Sequence, residues 1–134
     1  MSALAIWAAA LWWGALTTIG FAVVPMLFVN LPSPAIAGAM AAKLFSLTTW
    51  LGVTCGLMLL IFRSNRPLAL ENKADNAILF IVSGMFLALL LEFVVAPRIV
   101  VRQDLRLWHS VGTVMYVVQW LCAGVVFWRL AARK

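Results

Sequence analysis

The chain has 134 residues, of which 66% are hydrophobic and 10% charged, and its mean hydropathy is +1.07. A soluble domain carries about 45–50% apolar and about 25% charged residues, so this composition excludes a water-soluble globule. The formal net charge of +6 comes from basic residues that flank apolar runs, where they anchor helix ends and meet anionic headgroups; no basic groove with interleaved aromatics points to nucleic acid.

Four runs are long enough for a hydrocarbon core, which takes about 20 residues. Ala3 to Phe28 and Leu44 to Phe62 carry no charge. Asn76 to Ala96 is interrupted by Glu92, and Leu107 to Trp128 by His109. In lipid every backbone group must be bonded internally, so the spans are expected to be helices. The fold class expected is an all-α integral membrane protein, a four-transmembrane-helix bundle with both termini on one side. The expected helices cover roughly residues 3–29, 34–63, 75–97 and 106–131, within a single domain 1–134. The first run has no Lys or Arg before Lys43 and is longer than the h-region of a signal peptide, about 7–15 residues. It reads as a retained helix.

In chain order, Pro25 falls inside the first run, where it loosens the helix and frees a carbonyl. Pro32 marks the first turn. Ser33 is placed to cap the second helix and Pro34 to occupy its first position. Arg66-Pro67 marks the stop of the second helix, and Pro97 the end of the third. Arg98, Arg102 and Arg106 recur every four residues, so a helical turn there would form one basic interfacial face. Counted by side, Arg63, Arg66, Lys73, Arg129, Arg133 and Lys134 stand against Lys43, Arg98, Arg102 and Arg106. The positive-inside rule then puts the termini in the cytoplasm of a bacterial-type inner membrane.

Lipid supplies little drive for helix association, so small residues that allow close approach carry weight. Gly14 and Thr18 on the first helix, Gly52 and Gly56 on the second, Gly84 on the third and Gly112 on the fourth are the expected packing positions. Helices 1 and 2 are expected to meet through Gly14, Thr18, Gly52 and Gly56. Cys55 and Cys122 read as small apolar packers. Trp7, Trp50, Trp108 and Trp128 read as an interfacial belt.

Glu92 is the one carboxylate inside a run, and intramembrane ionisable residues mark function by default. Lys43 and His109 belong to the same depth, Arg98 is a further expected partner of Glu92, and Tyr116 and Gln119 continue a stripe below His109 at helical spacing. Two uses of this cluster are open: an interhelical clamp, with His109 as the first expected partner of Glu92, or a proton-, cation- or substrate-sensitive site. Metal binding is not expected from one His and one Glu, and no catalytic set, phosphate loop or cofactor motif occurs.

The segment from Leu11 to Gly52 carries Trp13-Gly14, Phe21-Ala22-Val23-Val24-Pro25-Met26-Leu27-Phe28, Leu31-Pro32, Ala37-Gly38 and Leu44-Phe45; Pro97-Arg98 and His109-Ser110 follow. These features resemble the small membrane proteins of the transmembrane-protein-205-like family, long filed as a domain of unknown function. The resemblance implies a four-helix integral membrane protein. A more distant likeness is to copper-resistance protein D-like proteins and the haem-pathway membrane oxidases, whose sites need several ligands where this chain has one His. Three functions are therefore weighed. The first is a non-enzymatic accessory or interaction component without cofactor, partnered by the lipid bilayer and by a second copy or another membrane protein. The second is a small oligomeric transporter or channel subunit for protons, cations or a small solute. The third is a haem- or quinone-linked redox protein.

Overall fold

The computed structural model describes residues 3–65 and 76–132. Within them four helices are long and apolar enough to cross a membrane: α1 (Ala3–Asn30), α2 (Pro34–Ser64), α3 (Ala77–Val100) and α4 (Leu105–Ala131). No strand occurs among the described residues. Arg66, Pro67, Lys73, Arg133 and Lys134 lie outside them.

Local chemistry accounts for the helix ends. Leu31 is extended and breaks α1 from α2. The Ser33 hydroxyl accepts from the Ile36 N–H at 3.3 Å, and Pro34 opens α2 where no donor is needed. Arg102 and Asp104 adopt positive φ, 57° and 43°, in the connection between α3 and α4. This left-handed turn separates the three arginines. Arg98 belongs to the last turn of α3, Arg102 to the connection and Arg106 to the first turn of α4. The single helical face expected from their spacing therefore does not form. Pro97 also does not end α3, which continues to Val100.

Both α1 and α3 contain a π-helical turn, at Ile19–Val23 and Leu91–Val95. In each the amide that follows reaches back five residues, Val24 to Ile19 and Ala96 to Leu91. The next residue in each case is a proline, Pro25 or Pro97, which has no N–H to give. The carbonyls of Phe21 and Phe93 thus lose their usual helical donor. Widening the helix by one residue moves the pyrrolidine ring away from the carbonyl it would strike, so the helix passes the proline instead of stopping there.

These two turns expose an internal repeat. Phe21-x-Val23-x-Pro25 and Phe93-x-Val95-x-Pro97 stand 72 positions apart. The same offset carries Gly52 to Gly124, and brings Pro34, the start of α2, within one residue of Leu105, the start of α4. The packing follows the repeat: α1 and α3 each contact both α2 and α4, forming a ring. A pseudo-twofold axis along the bundle therefore exchanges the α1–α2 hairpin with the α3–α4 hairpin.

The core joins Ala5, Ala8 and Ala9 of α1 to Leu59 of α2, Ile81 of α3, and Val126 and Leu130 of α4. The first turns of α1 and α3 thus meet the last turns of α2 and α4, and successive spans run antiparallel. At its centre Trp12 is 0% exposed. Its indole lies between Gly52 of α2 and Gly84 of α3 and links the two diagonal helices. Gly56 meets Met85, Gly112 meets Val95, and Gly124 meets the Trp13 indole. Gly14 differs from expectation: a side chain there would meet nothing within 4 Å, and Thr18 is exposed. The α1–α2 contact runs through the bulk of Trp12 filling the notch at Gly52, not through apposed small residues. Trp50 also departs from the expected belt, since α2 starts at Pro34 and places it mid-helix.

The opposite end is packed less deeply. No residue of Ile19–Val23, Val24–Asn30 or Ala96–Val100 is buried. The ends of α1 and α3 beyond their π turns leave room at the surface.

Candidate functional site

Hydroxyls inside lipid need an acceptor, and most here find it on their own helix four residues back. Thr17 donates to Trp13, Thr48 to Leu44, Thr54 to Trp50, Ser110 to Arg106 and Thr113 to His109, at 2.6–2.9 Å. Ser46 departs from this rule. Its hydroxyl crosses from α2 to α3 and donates to the Glu92 carboxylate at 2.5 Å.

Glu92 lies within the π turn of α3, and Ser46 is three residues, nearly one turn, beyond Lys43 on α2. Together they line a groove of about 560 Å³ with Ala42, Ala96, Pro97, Val100 and Val101. The groove lies between α2 and α3, at the end of the bundle away from the core, and is widely open at the surface. Glu92 is half-buried and Lys43 exposed. Among the described residues no ion pair engages either, so the carboxylate keeps acceptor capacity toward the groove.

Lys43 and Glu92 thus come together as expected of one depth, and the other expected members go elsewhere. His109 is exposed, and its imidazole makes no hydrogen bond to Glu92 or to another described residue. The expected Glu92–His109 pair does not form, because Ser46 supplies the donor from the helix that packs beside Glu92. Arg98 turns to α4 instead: its guanidinium stacks 4.4 Å from the Trp108 ring centre and donates to the Val94 carbonyl at 3.1 Å. Gln119 is buried, at 2% exposed, on the face of α4 that carries Gly112 and Cys122 toward α3.

Tyr116 belongs to a different seam. Its hydroxyl donates to the Leu16 carbonyl at 2.7 Å, just before the π turn of α1. The phenol fills the place of a side chain at Gly20, where an added Cβ would come within 2.4 Å of its ring. Trp120 Nε1 donates to Thr17 Oγ1 at 2.8 Å in the same seam, and Phe21 packs edge-on against both Tyr116 and Trp120.

The repeat makes the two seams comparable. Gly20 and Glu92 occupy equivalent positions in the two π turns, 72 residues apart. Phe21 meets Trp120 edge-on in the α1–α4 seam, and Phe93 meets Trp50 edge-on in the α2–α3 seam. In the first seam the turn carries glycine and a phenol closes it. In the second the turn carries a carboxylate and the seam is left open as a groove. The one intramembrane acid thus stands where the pseudo-symmetry is broken.

Ser46 was within reach of sequence reasoning, being three residues deeper than Lys43 on the same helix face. The asymmetry needed a self-comparison at the 72-residue offset. Among the described residues no three His, Cys, Asp or Glu side chains come together.

Comparison with curated proteins and with solved structures gives no match. Residues 7–107 match the family described as "Domain of unknown function (DUF4149)". That segment contains most of α1, all of α2 and α3 with both π turns and Glu92, and the start of α4. On a match spanning most of its length, the chain belongs to the DUF4149 family, with four helices among the described residues long and apolar enough to cross a membrane.

Proposed function

We propose that the protein is a non-enzymatic accessory component of a bacterial-type inner membrane that works by holding a membrane-embedded ligand or partner in the groove between α2 and α3. The observation that carries this reading is the half-buried Glu92 carboxylate, fixed by Ser46 and open to the groove. The likeness to transmembrane-protein-205-like proteins agrees with a small multi-pass component. Polar groups that would mark a transport path are dispersed: Tyr116 is tied to α1, Gln119 is enclosed and His109 points outward. That favours a binding surface over a conduit.

A photo-crosslinking residue placed at Val101, on the groove, is expected to capture a neighbour in native membranes. One placed at Leu4, 60% exposed on α1 away from the groove, is expected to give none. Capture from Leu4 and not from Val101 would overturn the reading.

The orientation proposed has both termini in the cytoplasm, so the groove lies in the outer leaflet. Gln103→Cys, in the exposed connection between α3 and α4, should then react with a membrane-impermeant maleimide on intact cells. Cys55 and Cys122 are buried and should add little background. Reaction only after permeabilisation would reverse the orientation.

A further inference from the structure

We infer that the occupant of the groove is a phospholipid with a primary-amine headgroup, its ammonium on Glu92 and its phosphate on Lys43. This rests on the groove being the working surface. Three observations carry it.

The first is charge complementarity. One carboxylate and one ammonium line a single groove without pairing to each other. A ligand that satisfies both must itself carry a cation and an anion. A phosphoethanolamine headgroup has both, joined by a short linker. Its ammonium keeps three N–H donors for a carboxylate already ordered by Ser46. A choline headgroup has the charge and no donor. A glycerol headgroup has the phosphate for Lys43 and no cation for Glu92.

The second is depth. Lys43 lies nine residues from the start of α2 and Glu92 eight from the end of α3, about 12–14 Å along each axis. The charge-free run of α2 begins at Leu44, so Lys43 stands at its edge near the boundary between headgroups and acyl chains, and the Ser46–Glu92 bond holds Glu92 within about one turn of that level. The third is the lining. Ala42, Ala96, Pro97, Val100 and Val101 present an apolar wall at the surface, of the chemistry on which an acyl chain packs. The pseudo-equivalent seam shows the alternative: there the Tyr116 ring fills the space beside Gly20, where the second seam carries the carboxylate.

The test uses the full chain reconstituted in vesicles of equal phosphatidylethanolamine, phosphatidylcholine and phosphatidylglycerol with matched acyl chains. The protein is extracted in mild detergent and the retained lipid read by native mass spectrometry. Phosphatidylethanolamine is expected to be retained over both others. Glu92→Gln should lower its retention about tenfold, the size of one charge-assisted hydrogen bond, and bring it level with phosphatidylcholine. Lys43→Gln should weaken all three lipids together, since each carries the phosphate. Val100→Trp fills the groove at a 68% exposed position and keeps both charges; it should also release the lipid, which guards against a folding effect of the charge variants. Equal retention of the ethanolamine and choline lipids by the unaltered protein would overturn the proposal, as would a preference for phosphatidylglycerol indifferent to Glu92→Gln. Loss of all lipid with continued crosslinking of a protein from Val101 would overturn the lipid and leave the groove reading intact; silence at Val101 would remove that reading as well.

Discussion

Gly52→Ala is expected to lower the thermal midpoint of the detergent-solubilised protein by several degrees, and Gly84→Ala to do the same. A Cβ at Gly52 would stand 2.7 Å from Trp12 Nε1, and one at Gly84 would stand 2.8 Å from the far edge of the same indole. Trp12 is fully enclosed and meets both glycines at once, so it has no direction in which to yield. Overpacking of this kind costs about 1–3 kcal/mol. Trp12→Ala should cost as much, at the upper end of that range. In lipid the transfer term largely falls away but the lost contacts remain, which leaves about 2–3 kcal/mol of the roughly 3–5 kcal/mol seen in soluble cores. Trp12→Phe should relieve much of the Gly52→Ala penalty, because it removes the ring that carries Nε1. Gly14→Ala supplies the control: nothing lies within 4 Å of its added carbon, and its midpoint should not move. Equal midpoints for Gly14→Ala and Gly52→Ala would show that the indole is not clamped.

The contrast between Gly14 and Gly52 also marks what was readable from the sequence. Four spans, their antiparallel order and the Ser33-Pro34 helix start follow from hydropathy and capping chemistry, which act locally. Which glycines face a neighbour depends on the rotation of each helix about its axis. A helix apolar on every side carries no stripe to fix that rotation. Small residues at spacing four occur on lipid faces as well, and Gly14 is one of them. What sets the rotation here is the bulk of Trp12, which occupies the notches at Gly52 and Gly84 at once.

The candidate site divides in the same way. Glu92 announced itself by cost, since a carboxylate in an apolar run needs a reason, and Lys43 followed from depth. The partner was misassigned because depth cannot say which helix stands beside which. In the ring of helices α3 touches both α2 and α4, and Glu92 is turned toward α2. The arginine stripe failed for a related reason. A four-residue period implies a helical face only if the backbone stays helical, and the left-handed residues Arg102 and Asp104 interrupt it. Neither has the glycine that would have signalled such a turn.

Gly20→Ala is expected to open the α1–α4 seam. The methyl would stand 2.4 Å from Tyr116 Cε1 and 2.7 Å from its hydroxyl, so the ring must leave its place. Leaving costs the bond to the Leu16 carbonyl and the edge contacts with Phe21 and Phe45. Interhelical hydrogen bonds in bilayers average about 0.6 kcal/mol and reach roughly 1.7 kcal/mol, and an aromatic pair adds about 0.5–1.5 kcal/mol. The glycine variant should therefore lose on the order of 2 kcal/mol by thermal or denaturant unfolding in micelles. Tyr116→Phe keeps the ring and removes only the hydroxyl, so its loss should stay near the hydrogen-bond average. Combining Gly20→Ala with Tyr116→Leu should cost less than the sum of the singles, since the methyl then enters space the phenol has vacated. The pseudo-equivalent variant, Glu92→Ala, separates packing from binding. No phenol closes the α2–α3 seam, so this variant should unfold close to the unaltered protein while losing what the groove holds. A destabilisation by Glu92→Ala as large as that by Gly20→Ala would mean that both seams are structural, and that the carboxylate serves Ser46 alone.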